Sequence, residues 1–141
     1  MRPALVRASY DDDMRILIVE DSDAIRRMIE ALVTARGFQV TAVSNGAKGL
    51  EAAAINVPDV VLLDLNLPGT YDGLEVCRRL RAEPATQSTP IVIITAMADA
   101  ESKQRALEAG CTAYYTKPFS PTALLKEIGS FRLRQRSVPD V

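Results

Sequence analysis

Residues 58–68, Pro58-Asp-Val-Val-Leu-Leu-Asp64-Leu-Asn-Leu-Pro68, decide the fold of this chain. From Val60 to Leu63 the run is apolar without a break, the pattern of a strand buried on both faces, as in a parallel sheet under helices. Asp64 stands at its C-terminal end, and Asn66, Pro68 and Gly69 follow at once, residues that stop strands and build loops. A carboxylate at the end of a buried strand is costly unless something there uses it. In open parallel α/β sheets that edge is where ligands bind. Taken alone, Asp64 reads as a loop aspartate capping a turn, so its meaning depends on its company.

On the N-terminal side, residues 15–20 repeat the pattern of a short buried strand and end in Glu20, with Asp21 and Asp23 close behind. Ser22 or Asp21 can cap the helix that follows, where Ile25, Met28, Ile29, Leu32 and Val33 recur on one face as a core stripe that Gly37 ends. Phe38, Val40 and Ala42 then alternate with Gln39 and Thr41, the mark of a half-buried strand near a sheet edge. An Ala-rich helix over residues 47–56 leads back to Pro58.

On the C-terminal side, the loop over residues 66–72 opens a third helix facing inward with Val76, Cys77 and Leu80, while Glu75 and Arg79 form an exposed i, i+4 pair. Residues 83–89 read as a polar surface loop, and residues 90–95 as a fourth strand ending in Thr95. The helix over residues 99–109 has the weakest apolar face, with Leu107 its one large apolar residue, and Gly110 closes it. A short strand over residues 112–116 ends in Lys117-Pro118-Phe119. Ser120 and Pro121 then open a last helix with the stripe Leu124, Leu125, Ile128 and Phe131. Five strands alternating with five helices predict a doubly wound α/β fold, a five-stranded parallel sheet covered on both faces. Residues 1–13 read as a flexible arm, residues 14–134 as the domain and residues 135–141 as a short tail.

Composition narrows the function. A net charge of −1 offers no broad electrostatic case for nucleic acid or anionic membrane, and no apolar run has membrane-spanning length. The two cysteines have no metal or redox spacing, which suits packing in a reducing cytoplasm. The chain has no histidine, which removes His-based triads and most transition-metal sites.

Parallel strands share one C-terminal edge, so Glu20, Asp21, Asp64, Thr95 and Lys117 converge on one rim. Two like charges about 4 Å apart repel by about 4 kcal/mol at intermediate dielectric, so three carboxylates there shift their pKa values upward or bind a cation. Oxygen ligands without His or Cys point to Mg²⁺, and Mg²⁺ with Lys117 balances the cluster. Metal, ammonium, the Thr95 hydroxyl and loop amides could then hold a phosphoryl group, and an Asp carboxylate could attack it to give an aspartyl-phosphate.

Glu20-Asp21-Ser22, the Asp64-Leu-Asn66-Leu-Pro68 segment, Asp72-Gly73, Thr95-Ala96, Tyr114 and Lys117-Pro118-Phe119 together resemble the receiver domain of two-component response regulators over roughly residues 14 to 131. The resemblance implies the flavodoxin-like strand order 2-1-3-4-5. It makes Asp64 the phosphoacceptor, with Glu20, Asp21, Asp64 and the main-chain carbonyl of Asn66 around Mg²⁺. It gives phosphoryl contacts to Thr95, Ala96 and Lys117, the switch to Thr95 and Tyr114, and a cis bond between Lys117 and Pro118. The donor would be a histidine kinase or a histidine phosphotransfer protein. The output would be a downstream protein target, or a homodimer, on the surface of the fourth helix, fifth strand and fifth helix. On this reading the chain is no enzyme beyond its own phosphorylation and slow dephosphorylation, is cytoplasmic, and does not contact membrane or, directly, nucleic acid. Ending soon after Phe131, it leaves no room for a DNA-binding domain unless it is a fragment of a transcriptional regulator.

Two features depart from the common pattern. The loop over residues 68–73 looks one residue longer, and Met97 is apolar where some relatives carry a carboxylate or amide. By the resemblance, Met97 and Asn66 would flank the path of hydrolytic water. Two other functions compete. A haloacid-dehalogenase-class phosphatase also uses Asp, Mg²⁺, Thr and Lys, but needs a second Asp where this chain has Asn66. A flavin or nucleotide binder would want a phosphate loop after the first strand, where Glu20, Asp21 and Asp23 repel phosphate.

Overall fold

The apolar runs become strands β1 (Arg15–Val19), β2 (Gln39–Val43), β3 (Val60–Leu63), β4 (Ile91–Thr95) and β5 (Ala113–Thr116). Helices α1 (Asp23–Thr34), α2 (Gly46–Ile55), α3 (Gly73–Ala82), α4 (Ala100–Ala109) and α5 (Pro121–Ser137) separate and follow them. The structure, a computed structural model, describes residues 14–137. The expected arm over residues 1–13 and residues 138–141 of the expected tail lie outside the described residues. The last helix runs past the expected domain end at 134 to Ser137.

All strand pairs are parallel and the order is β2-β1-β3-β4-β5. β1, β3 and β4 are almost wholly buried, as unbroken apolar runs require. β2, which alternates in sequence, is an edge strand. In each strand one parity faces each side of the sheet. Ile16, Ile18, Leu62, Val92 and Ile94 pack with Ile29 and Val33 of α1 and with Leu124, Ile128 and Phe131 of α5. Leu17, Val19, Leu63, Ile91 and Ile93 pack with Ala53 of α2, Val76, Cys77 and Leu80 of α3, and Ala106 and Ala109 of α4.

Side chains cap the helix starts, at Ser22 and Ser120 as the sequence offered. Ser22, Asn45, Asp72 and Asp99 accept hydrogen bonds from the amides of Ile25, Lys48, Glu75 and Ser102 at the starts of α1 to α4. Ser120 Oγ accepts from Ala123 N at 3.1 Å at the start of α5. Gly110 closes α4 in the left-handed region, with φ 107°.

Three expectations are corrected. Met28, placed in the α1 stripe, is 45% exposed, since the stripe is wider than the neighbour that covers it. Leu107 is 46% exposed, so α4 is held by Ala106 and Ala109, an anchor smaller than expected. The polar loop over residues 83–89 buries Thr86 and Thr89, and Thr86 donates its hydroxyl to the Leu80 carbonyl at 2.6 Å. The same corner is stitched by Arg81, which donates to the carbonyls of Gly110 at 2.8 Å and Thr89 at 2.7 Å. Ile128 is fully buried between α5 and the sheet, so Ile128→Ala should cost about 2–5 kcal/mol. Met28→Ala and Leu107→Ala, at exposed positions, should stay within about 0.5 kcal/mol. Urea denaturation of the three variants reads the contrast.

Candidate functional site

The register carries the ends of β1 and β3 to the same height, with Val19 opposite Leu63. The next residues, Glu20 and Asp64, therefore stand side by side, and both are buried. Asp64 N donates to the Val19 carbonyl at 3.1 Å, and Glu20 N to the Val43 carbonyl at 3.0 Å, so both strand ends are fixed by the neighbouring strand. β1 is flanked by β2 on one side and β3 on the other, so this is the point where the strand order reverses and where such sheets bind ligands.

Asp21 is exposed and completes the group: one carboxylate oxygen each from Glu20, Asp21 and Asp64 lie within 4.8 Å of one another. Lys117, at the end of β5, places its ammonium 2.8 Å from Glu20 Oε1 and 3.1 Å from Asp64 Oδ2. Burial alone pulls this ammonium's pKa down, but hydrogen bonds and charge from Glu20 and Asp64 outweigh it and the net shift is upward. Lys117 thus stays charged at neutral pH, and three carboxylates against one ammonium leave the rim negative. The remaining carboxylate oxygens are oriented by main-chain amides: Ser22 N donates to Glu20 Oε2 at 3.0 Å, and Asn66 N to Asp64 Oδ1 at 3.2 Å. Gly73 at the start of α3 packs directly on this turn, and a Cβ there would collide with the Asp64 main-chain oxygen.

The donor set suits a small hard cation. Opposite ligands of an octahedral ion with bonds of 2.0–2.1 Å are about 4 Å apart, close to the spread of these oxygens, and the three side chains offer oxygen alone. Asn66 is exposed beside Asp64, and the Lys117–Pro118 bond is cis, as the resemblance implied.

Thr95 is fully buried at the end of β4, and Ala96 is exposed just beyond it. Thr95 Oγ1 accepts from Met97 N at 3.3 Å, while Tyr114 donates its hydroxyl to the Met97 carbonyl at 2.6 Å. The main chain of Met97 therefore joins the two switch candidates. Its side chain drew attention in the sequence, but nothing there marked its peptide groups as the junction. Arg26 was also missed. It donates to the Glu20 carbonyl at 3.0 Å and pairs with Asp23 at 2.6 Å, and its one legible signal was the i, i+3 spacing to Asp23. Cys77 and Cys111 lie away from the rim, buried under α3 and α4; burial pushes the Cys77 thiol up to about 11 and raises Cys111 too, which fits packing. A concavity of about 510 Å³ between α2 and α3, lined by Leu50, Ala53 and Leu80 among others, contains none of the rim residues.

This is a doubly wound α/β domain with three carboxylates and a lysine at its ligand-binding edge. The chain belongs to the response regulator receiver domain family, whose description matches residues 16–129. It is similar to the response regulator PleD of Caulobacter vibrioides, 38% identical over 116 residues that cover 82% of this chain and 25% of that protein. It is 40% identical to the transcriptional regulatory protein CseB of Streptomyces avermitilis, over 83% of this chain and 48% of that one. The chain thus spans about a quarter to a half of the length of these curated relatives. Among solved structures it resembles the chemotaxis response regulator CheY4 of Vibrio cholerae, with a TM-score of 0.78, 30% identity, and coverage of 84% of this chain and 98% of that one. Among the described residues no helix is long and apolar enough to cross a membrane.

Tyr115, next to the switch candidate but on the opposite sheet face, donates its hydroxyl to Glu127 Oε1 at 2.9 Å. Burial, with the Glu127 hydrogen bond and charge, pushes its pKa from 10.0 up to about 12. A pKa raised on folding means that the unfolded chain loses its proton first, so this contribution to stability is full below pH 10 and lost as pH rises through 12. The denaturation midpoint should fall across that window, and Tyr115→Phe should flatten this part of the fall.

Proposed function

We propose that this chain is a phosphorylation-controlled signalling switch in which Asp64 accepts a phosphoryl group from a phosphohistidine on a histidine kinase or a histidine phosphotransfer protein. The observation that carries the reading is the rim itself: Asp64, Glu20 and Asp21 clustered together, with Lys117 bridging two of them. The Asp64 carboxylate forms a P–O bond as the donor's P–N bond breaks, and the electron pair of the broken bond returns to the imidazole. Glu20, Asp21, Asp64 and the Asn66 main-chain carbonyl would hold Mg²⁺, which would neutralise charge on the transferring group. Lys117 would turn from the carboxylates to the phosphoryl oxygens, and Thr95 and the main-chain amide of Ala96 would bind the others. Asn66 stands where a phosphatase of similar chemistry would need a second acid, and this supports a group that stays on Asp64 rather than rapid turnover.

Output follows from the junction at Met97. A phosphoryl oxygen that draws in the Thr95 hydroxyl competes with its bond from Met97 N, and Tyr114 holds the carbonyl of the same residue. The helix behind this loop, α4, is anchored by two alanines, so it is the element most easily moved. The α4-β5-α5 surface is then the one read by a downstream protein or by a second copy of the chain. Shifting such a switch from mostly off to mostly on takes about 5.5 kcal/mol, more than one neutral hydrogen bond supplies. The charged contacts at Lys117 and Mg²⁺ therefore share the load. The second reading, a receiver within a longer regulator, is favoured by the relatives, of which the chain covers 25% and 48%.

Acetyl phosphate with Mg²⁺ should add about 80 Da to the wild type and nothing to Asp64→Ala, read by mass spectrometry. Stoichiometric labelling of the variant overturns the assignment. Asp21→Ala should lose Mg²⁺ binding, whereas Lys117→Ala should keep or raise it, because a competing cation is gone. A Lys117→Ala protein that no longer binds Mg²⁺ contradicts the arrangement. For the switch, a beryllofluoride-type phosphate mimic should shift amide resonances from Asp64 through residues 99–131. Shifts confined to the loops around Asp64, with Thr95→Ala behaving as wild type, dispose of the switch and leave the phosphorylation site standing.

A further inference from the structure

The connection from β3 to α3 carries Asn66, so its conformation bears on the site. Its ends are closed on each other: Gly73 N donates to the Leu65 carbonyl at 2.9 Å, and Gly73 packs against the Asp64 and Leu65 backbone. Leu65 and Leu67 are buried and root the first half, while Pro68, Gly69 and Thr70 stand in solvent, with Gly69 in the left-handed region at φ 90°. On the far side of the loop Tyr71 makes two contacts. Its main chain lies so close to α2 that a Cβ on Gly46 would sit 2.5 Å from the Tyr71 oxygen. Its ring lies under the Arg79 guanidinium, 4.5 Å from centroid to Cζ. Arg79 is in turn held by Glu75 Oε2 at 2.9 Å, and Glu75 N is bound by the Asp72 cap at 2.9 Å.

We infer that the Tyr71–Arg79 stack is a positioning element that fixes this loop, and through it the Asn66 main chain beside Asp64, and that it thereby sets the affinity for the divalent cation. Tyr71 and Arg79 touch neither the cation nor the phosphoryl group in this account; they act through the loop. The i, i+4 pair of Glu75 and Arg79, worth little as an exposed ion pair, acts here by aiming a guanidinium at an aromatic face. A loop whose tip stands in solvent has conformations to lose, and a clamp on its outer limb removes them before a cation arrives. The inference rests on the reading of Glu20, Asp21, Asp64 and Asn66 as the cation site.

The test is Mg²⁺ titration of the full chain by calorimetry, beside thermal melts, for wild type, Tyr71→Ala, Tyr71→Phe and Arg79→Gln. Tyr71→Ala and Arg79→Gln should weaken Mg²⁺ binding about two- to fivefold, the factor an exposed cation–π contact is worth. Tyr71→Phe keeps a ring and should bind as wild type. Removing the Arg79 charge would by itself favour a cation, so weaker binding in Arg79→Gln cannot come from charge alone. A purely structural role would lower the melting temperature and leave the Mg²⁺ constant of the folded protein unchanged. A positioning role also predicts that the acetyl phosphate rate falls at limiting Mg²⁺ and recovers at saturating Mg²⁺. Wild-type affinity in Tyr71→Ala overturns the clamp and leaves the cation site intact. Saturable wild-type binding that Asp21→Asn does not weaken overturns the cation site and the clamp with it.

Discussion

The Lys117 ammonium spans Glu20 and Asp64 across the C-terminal edge of the sheet, and the arrangement of the rim depends on that contact. The two carboxylates are buried, at the ends of strands that pairing has brought into register. Without a cation between them, two like charges in that setting would repel strongly. One ammonium cannot balance three carboxylates, so the site is assembled but under-compensated. That residual negative charge is what an oxygen-liganded divalent cation would compensate.

The contact also ties chemistry to architecture. Glu20, Asp64 and Lys117 come from the ends of β1, β3 and β5, and Thr95 from the end of β4. A parallel sheet places all these ends on one side, and the order β2-β1-β3-β4-β5 places β1 beside β3. The surrounding core is apolar on both faces and packs the strands in place, while single side chains hold the loops beyond their ends. Tyr114 on Met97, Arg26 on Glu20 and Tyr71 under Arg79 each grip one loop of the rim. The opposite edge is stitched differently, by Arg81 near the end of α3, which donates to the Gly110 carbonyl after α4 and the Thr89 carbonyl before β4. α4 is thus fastened at its C-terminal end by Arg81 and held along its length by Ala106 and Ala109.

Much of this was legible in the residues alone. Unbroken apolar runs marked β1, β3 and β4, alternation marked β2, and Ser22 and Ser120 marked helix starts. These signals are local, set by side-chain chemistry within a few positions of each other. The misplaced residues have a common cause. Met28 and Leu107 satisfy helical spacing and still face solvent, because periodicity gives the direction of a face and not the extent of what covers it. Thr86 and Thr89 look like loop polars and are buried, because their burial depends on α3 and on Arg81 rather than on their neighbours in sequence.

By itself the sequence determined the elements, their alternation, and the acidic, hydroxyl and lysine side chains at successive strand ends; each follows from interactions a few residues apart. Tertiary structure decided which of those groups meet. Glu20 and Lys117 lie 97 positions apart in sequence, and Asp64 and Lys117 lie 53 apart. Nothing local distinguishes a lysine that bridges two buried carboxylates from one that trails into solvent. The difference is made by strand order and register, which are set by the packing of apolar faces over the whole domain.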